Sequence, residues 1–137
     1  MASLDYGGTM IKKQILEFAN KYDPQAFHID EEKAKESLFG GLCASGWHTC
    51  SLYMKMLCDG FIKNLASLGS PGMNQIRWIK PLFPNQNITG KVTIISKTPS
   101  RSKPNIGSLI TDSEVYNNKK EIIMTLQSIS IVKKKNS

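Results

Sequence analysis

Cysteine is scarce in this chain: Cys43, Cys50 and Cys58 are the only three in 137 residues. They stand seven and eight positions apart, near one stripe if the segment is helical, which argues against disulfides among them and against a Cys-x-x-Cys zinc site. They read as small buried residues in a reducing, cytoplasmic setting. The opening residues, Met1-Ala2-Ser3-Leu4-Asp5-Tyr6, lack the basic and apolar regions of a signal peptide. No low-complexity tract or internal repeat is visible. The longest uncharged stretch, which takes in residues 38–54, contains Gly40, Gly41, Ser45, Gly46, His48, Thr49 and Ser51, and so predicts a buried helix rather than a membrane span. A zinc finger, an RNP-type aromatic motif and a basic helix are also missing, which leaves any nucleic-acid role resting on charge alone.

What is present in excess is positive charge. The formal net charge is +7, and part of it is Lys133-Lys134-Lys135, read as a solvated, frayed tail over residues 133–137. A basic surface suits nucleic acid, an anionic membrane or a phosphorylated small molecule. The 137 residues, 40% of them hydrophobic, suit one domain over 1–137 with one sizeable core.

Residues 10–22 place Ile11, Ile15, Phe18 and Tyr22 at helical spacing, with Gly7 and Gly8 ahead and Thr9 as the candidate N-cap. Pro24 bars the helix from continuing through Asp23. Asp30, Glu31 and Glu32 suit the start of a second helix, with Asp30 as its cap, and Gly40-Gly41 ends that segment. A third helix is expected over residues 42–68, apolar on nearly every face and therefore buried all round. Ser70-Pro71-Gly72 reads as a break. Beyond it, residues 73–80, the run around Ile88, Val92 and Ile94, residues 107–116 and residues 121–133 read as half-buried antiparallel strands. Pro81 and Pro84 bracket one loop, residues 100–105 form a basic loop, and residues 117–120 form a hairpin turn. The fold class is α+β: one hot-dog domain, a curved antiparallel sheet wrapped around a long central helix. Its open sheet edges predict a homodimer.

Two short stretches carry the chemistry. Asp23-Pro24-Gln25-Ala26-Phe27-His28 sets a carboxylate and an imidazole five positions apart just after the first helix. Phe39-Gly40-Gly41-Leu42-Cys43-Ala44-Ser45-Gly46 opens the central helix with small residues. These stretches, with Asp30-Glu31-Glu32-Lys33-Ala34 and Arg77-Trp78-Ile79-Lys80-Pro81-Leu82, make the chain resemble the MaoC-like family of hot-dog dehydratases and (R)-specific enoyl-CoA hydratases over nearly its whole length. The family's mark is Asp-x-Asn-Pro-x-His. Here Gln25 stands for the Asn and Ala26 for the Pro, Asn85-Gln86 sits where Gly-Asp is usual, and the segment before the first helix is short enough that one edge strand could be missing.

The resemblance implies an enzyme of fatty acid metabolism acting on acyl-CoA thioesters, with coenzyme A entering as part of the substrate and no further cofactor or metal. It implies that Asp23 and His28 hold a water and move its protons, and that the Gly46 N–H faces the thioester oxygen. Ser45, Gln25, Trp47 and Arg77 are the candidate substrate contacts. Arg77, Lys80, Arg101 and Lys103 could meet the coenzyme A phosphates, although solvated charges are the simpler reading of each. A hot-dog thioesterase and a non-catalytic acyl-CoA-binding homologue are the alternatives. His48 reads as a hydrogen-bonded core histidine, with a pocket-lining role as its alternative, and Met54 and Met56 read as core filling.

Overall fold

A computed structural model describes residues 2–134. The chain runs through β1 (Ala2–Met10), α1 (Lys12–Tyr22), α2 (Ala26–Ile29), α3 (Glu31–Lys35), α4 (Gly46–Gly60) and a 3-10 turn (Ile62–Asn64). It then forms β2 (Ser67–Trp78), β3 (Gln86–Pro99), β4 (Ile106–Tyr116) and β5 (Ile122–Lys133). The strands make one antiparallel sheet in the order β1-β3-β4-β5-β2. This curled sheet against α4 is the expected α+β hot-dog arrangement.

The edge strand that the short N-terminal segment put in doubt is present. It is β1, which pairs Met10 with Gln86 and Ala2 with Val92. Thr9 therefore belongs to the sheet, where its hydroxyl bonds Asn87 Oδ1, and it does not cap α1. That helix begins after Ile11 with no side-chain cap and buries Ile15 and Ala19. Asp30 does cap α3, accepting from the Glu32 and Lys33 N–H groups at 3.0 and 3.1 Å.

The central helix is shorter and less enclosed than its apolar sequence predicts. Residues 42–45 stay out of it because Cys43 N–H donates to Phe27 O and Ala44 N–H to Leu82 O. At the other end, Ser67 has already joined β2. Within α4, Thr49, Tyr53 and Met56 are buried, whereas Trp47 and Met54 stay about half exposed. Met54 is thus not core filling. Nor do the cysteines share a stripe: Cys43 lies ahead of the helix and is buried, Cys50 is half-buried and Cys58 is exposed, all three as free thiols. The expected break at Ser70-Pro71-Gly72 lies inside β2, where the pairing with β5 shifts register and Gly69 (φ 125°) and Gly72 (φ 153°) take backbone shapes open to glycine.

The core joins Met10, Ile15, Tyr53, Ile88, Val92, Val115, Ile123 and Met124, drawn from helix and sheet alike. Gly90 of β3 lets the Tyr53 ring lie directly on the strand, and a Cβ there would fall well inside contact distance of that ring. Gly90→Ala should therefore destabilise the protein by about 1–3 kcal/mol. The check is a lower urea midpoint at unchanged m-value.

Among the described residues no helix is long and apolar enough to cross a membrane. Lys133 and Lys134 donate backbone N–H groups to Ala66 O and Asn105 O, so the basic run starts tied to the sheet. The rest of the expected tail, from Lys135 onward, lies outside the described residues.

Candidate active site

Asp23 ends α1 as its C-cap, with its N–H on Ala19 O. Pro24 turns the chain, Gln25 N–H returns to Asp23 O at 2.8 Å, and His28 N–H bonds Gln25 O at 2.9 Å. The single turn of α2 thereby carries the imidazole back over the carboxylate. His28 Nε2 lies 3.5 Å from Asp23 Oδ2.

Each partner is held from a different part of the chain. His28 Nδ1 lies 2.7 Å from the Cys43 carbonyl oxygen. A carbonyl only accepts, so Nδ1 carries a hydrogen, and Nε2 is the nitrogen that faces Asp23. Asp23 Oδ1 accepts from the Gln25 amide at 2.6 Å, and Oδ2 accepts from the Ser45 hydroxyl at 2.7 Å. Burial alone would raise the Asp23 carboxyl. The Gln25 amide, the Ser45 hydroxyl and the adjacent His28 outweigh it and hold the group below the ordinary carboxylate value.

Ser45 is the N-cap of α4, yet its hydroxyl serves Asp23 rather than its own helix. The Gly46 and Trp47 N–H groups, in the first turn, have no acceptor among the described residues. Gly46 and Trp47 line a cavity of about 280 Å³ together with Asp23, Gln25 and His28. The structure thus gathers five of the seven candidate residues. Ser45 is fully buried, with its hydroxyl on Asp23 Oδ2, and stands outside the cavity lining. Arg77 is exposed and outside the lining, because successive strand residues face opposite sides and its neighbour Trp78 faces in. Lys80 reaches the cavity and pairs with Glu121 at 2.5 Å, whereas Arg101 and Lys103 stay outside the lining in the 100–105 loop.

Trp78 has a role that the sequence did not announce. Its indole lies against Gly46, where an added Cβ would sit 2.5 Å from Cε2, and it packs edge-on to Trp47 with centroids 5.0 Å apart. The Cys43 carbonyl that orients His28 was equally hidden, since a backbone acceptor leaves no mark in residue type. Phe39, Thr49 and Ile123 complete the apolar side of the cavity.

His48 is not the hydrogen-bonded core histidine expected. Its ring stacks on Phe18 at 4.5 Å, and its buried Nδ1 has no hydrogen-bond partner among the described residues. It does not line this cavity. Burial pushes its pKa below the ordinary histidine value. A histidine depressed in this way adds stability that is full above its unfolded value and is lost as pH falls. Thermal stability should accordingly drop between about pH 7.5 and about pH 5.5 in the wild type, and less so in His48→Gln. Melting curves at both pH values check this.

A sheet curled on a helix, with an acid and an imidazole converging at the helix N-terminus, defines a hot-dog protein of the hydratase and dehydratase class. Residues 3–115 match the MaoC like domain, and the chain belongs to that family. An uncharacterised Bacillus subtilis (strain 168) protein, YdeM, is 35% identical over 109 residues, covering 79% of this chain and 75% of its own. The structure of a MaoC-like dehydratase from Rhodospirillum rubrum superposes with a TM-score of 0.90 at 31% identity, over 99% of this chain and 93% of that one. An (R)-hydratase from Pseudomonas aeruginosa shares the fold at a TM-score of 0.70 and 16% identity, over 98% of this chain and 81% of its own.

Proposed function

We propose that this protein is a hydro-lyase that reversibly hydrates a trans-2-enoyl-CoA to the (R)-3-hydroxyacyl-CoA. The observation that carries this reading is the 3.5 Å approach of His28 Nε2 to Asp23 Oδ2 beside the free N–H groups of Gly46 and Trp47. Water sits between the carboxylate and the imidazole. His28 Nε2 takes one of its protons while the oxygen attacks C3 of the enoyl group. Electron density moves through C2 to the thioester oxygen, where the Gly46 N–H and the positive end of α4 stabilise it. The proton on His28 then passes to C2, so that one water has been added across the double bond. Asp23 remains charged throughout. With both oxygens already accepting and its pKa depressed, it orients the water and supports the imidazolium, and it is the poorer proton acceptor of the two.

Membership of the MaoC-like domain family supports this reading, and so does the shared fold with (R)-hydratases. The +7 charge suits the phosphates of coenzyme A. We also assign the working unit as a homodimer. The edge strand β2 carries exposed Leu68, Met73 and Trp78, and pairing with β2 of a second copy would cover that edge in each.

The test is loss of enoyl-thioester absorbance on mixing with crotonyl-CoA and longer enoyl-CoA esters. Release of free thiol without hydration would replace this reading with a thioesterase. Tight binding without turnover at every chain length would replace it with a binding protein.

A further inference from the structure

The +7 net charge is not spread evenly along the chain. No Asp or Glu occurs between Asp59 and Asp112, nor after Glu121, although both stretches carry Lys and Arg. The fold brings parts of these stretches together. Lys133 N–H donates to Ala66 O and Lys134 N–H to Asn105 O, while Ile106 stands across from Lys133 and Pro99 across from Gly107. The 3-10 turn, the β3–β4 loop and the last residues of β5 therefore meet at one end of the sheet. That end carries Lys63, Lys97, Arg101, Lys103, Lys133 and Lys134, all exposed. None of these six makes an ion pair among the described residues. Asp59, the acid next to this region in the chain, is engaged by Lys55 at 2.9 Å.

The Asp23–His28 cavity lies toward the opposite end. Its lining residue Trp78 stands across from Met124 of β5, whereas Ser67 stands across from Val132. Met124 and Val132 are separated by about 25 Å of strand at about 3.3 Å per residue. At physiological salt, cations at that distance are screened from charge developing at Gly46.

Cations clustered without counter-charge repel one another, and an anionic partner relieves that repulsion. The composition of the cluster chooses the partner. All but Arg101 are lysines, which protein–protein interfaces disfavour. Only Arg101 has the planar fork suited to bases and single phosphates. This end has no long helix to enter a nucleic-acid groove, and no exposed aromatic side chain among the described residues there to stack on bases. An anionic bilayer is recognised by charge density, and each Lys or Arg near its surface adds to the attraction.

We propose that this basic end of the sheet docks on an anionic phospholipid bilayer and holds the protein at the membrane surface, with the Asp23–His28 cavity at the far end of the molecule.

Co-sedimentation of the full chain with vesicles tests this. At about 0.1 M salt, vesicles of equal phosphatidylglycerol and phosphatidylcholine should bind the protein at least about 10-fold more tightly than pure phosphatidylcholine vesicles. At about 1 M salt, where the screening length is about 3 Å, that preference should vanish. Lys97→Gln combined with Lys133→Gln and Lys134→Gln should weaken binding by at least about 10-fold. Lys12→Gln combined with Lys13→Gln and Lys21→Gln removes the same charge from α1 and should weaken it by less than about 3-fold. If the first triple variant does not fold, Arg101→Gln and Lys103→Gln should each weaken binding by about 3- to 5-fold alone. Equal binding to both kinds of vesicle overturns the proposal. So does an equal loss in the two triple variants, which would assign the attraction to net charge alone. Binding of a DNA duplex through Lys97, Lys133 and Lys134 without binding to vesicles overturns it in favour of nucleic acid. A raised KM for crotonyl-CoA in the first triple variant, with vesicle binding unchanged, overturns it in favour of the coenzyme A phosphates.

Discussion

His28→Ala and Asp23→Asn should each lower kcat for crotonyl-CoA hydration by about 10²–10⁴-fold, the range typical of a positioned acid–base group. The two losses should arise differently. His28→Ala removes the group assigned as the proton acceptor, and it leaves the buried Cys43 carbonyl without its donor. An orphaned buried acceptor costs about 1–3 kcal/mol, so this variant should also be less stable. Asp23→Asn removes the negative charge and brings an amide against two donors, the Gln25 amide and the Ser45 hydroxyl. Asparagine Oδ1 can still accept from Gln25, but the Ser45 hydroxyl must then turn to accept from Nδ2, and the charge that supports the imidazolium is gone. Because the pair acts as one unit, the double variant should be hardly worse than the poorer single one. Rates near wild type in both single variants, with folding verified by circular dichroism, would falsify the assignment.

Gly46→Ala should cost about 10²–10³-fold in kcat, comparable to losing one oxyanion-site donor. The new Cβ would lie 2.5 Å from Trp78 Cε2 and 2.6 Å from its Nε1. Either the indole leaves the cavity wall or the first turn of α4 moves away from the thioester oxygen. Alanine favours helix more than glycine does, so any fall in activity would not reflect a weaker helix. The backbone N–H itself survives the substitution. Adding Trp78→Ala should therefore restore part of the lost turnover by making room for the methyl group. Full activity in Gly46→Ala would remove Gly46 from the oxyanion role, and failure of the second substitution to restore turnover would assign the loss to something other than the Trp78 contact.

The pairing of Asp23 with His28 was legible early because its geometry is local. Asp23, Pro24 and His28 lie within one turn and one short helix, and their spacing already sets the imidazole back over the carboxylate. Gln25, standing where the family motif has Asn, still reaches Asp23 Oδ1, so the departure preserves a donor at that oxygen. Ser45 was a candidate substrate contact, and the fold brings it, from 22 positions along the chain, to hydrogen-bond Asp23. Arg77 stands next to Trp78 in β2, and that one-residue difference puts it outside the cavity lining. The length of α4 was overestimated for a related reason. The apolar character of residues 42–45 and 65–68 is equally compatible with extended chain, and hydrogen bonds from Phe27, Leu82 and β5 decided between the two.

The sequence by itself determined the class of fold, the order of the main elements and the two residues on which the proposed chemistry turns. Hydrophobic period, proline and glycine placement, and motif spacing are all short-range properties of the chain. Only the tertiary structure decided that the Cys43 carbonyl fixes the tautomer of His28, that Ser45 and Gln25 together hold Asp23 charged, and that Trp78 closes on Gly46. It also revealed a second cavity, bounded by α4 on one side and the sheet on the other. These contacts join residues far apart in the chain, and their existence depends on how the sheet curls around α4, a global property that no local pattern encodes.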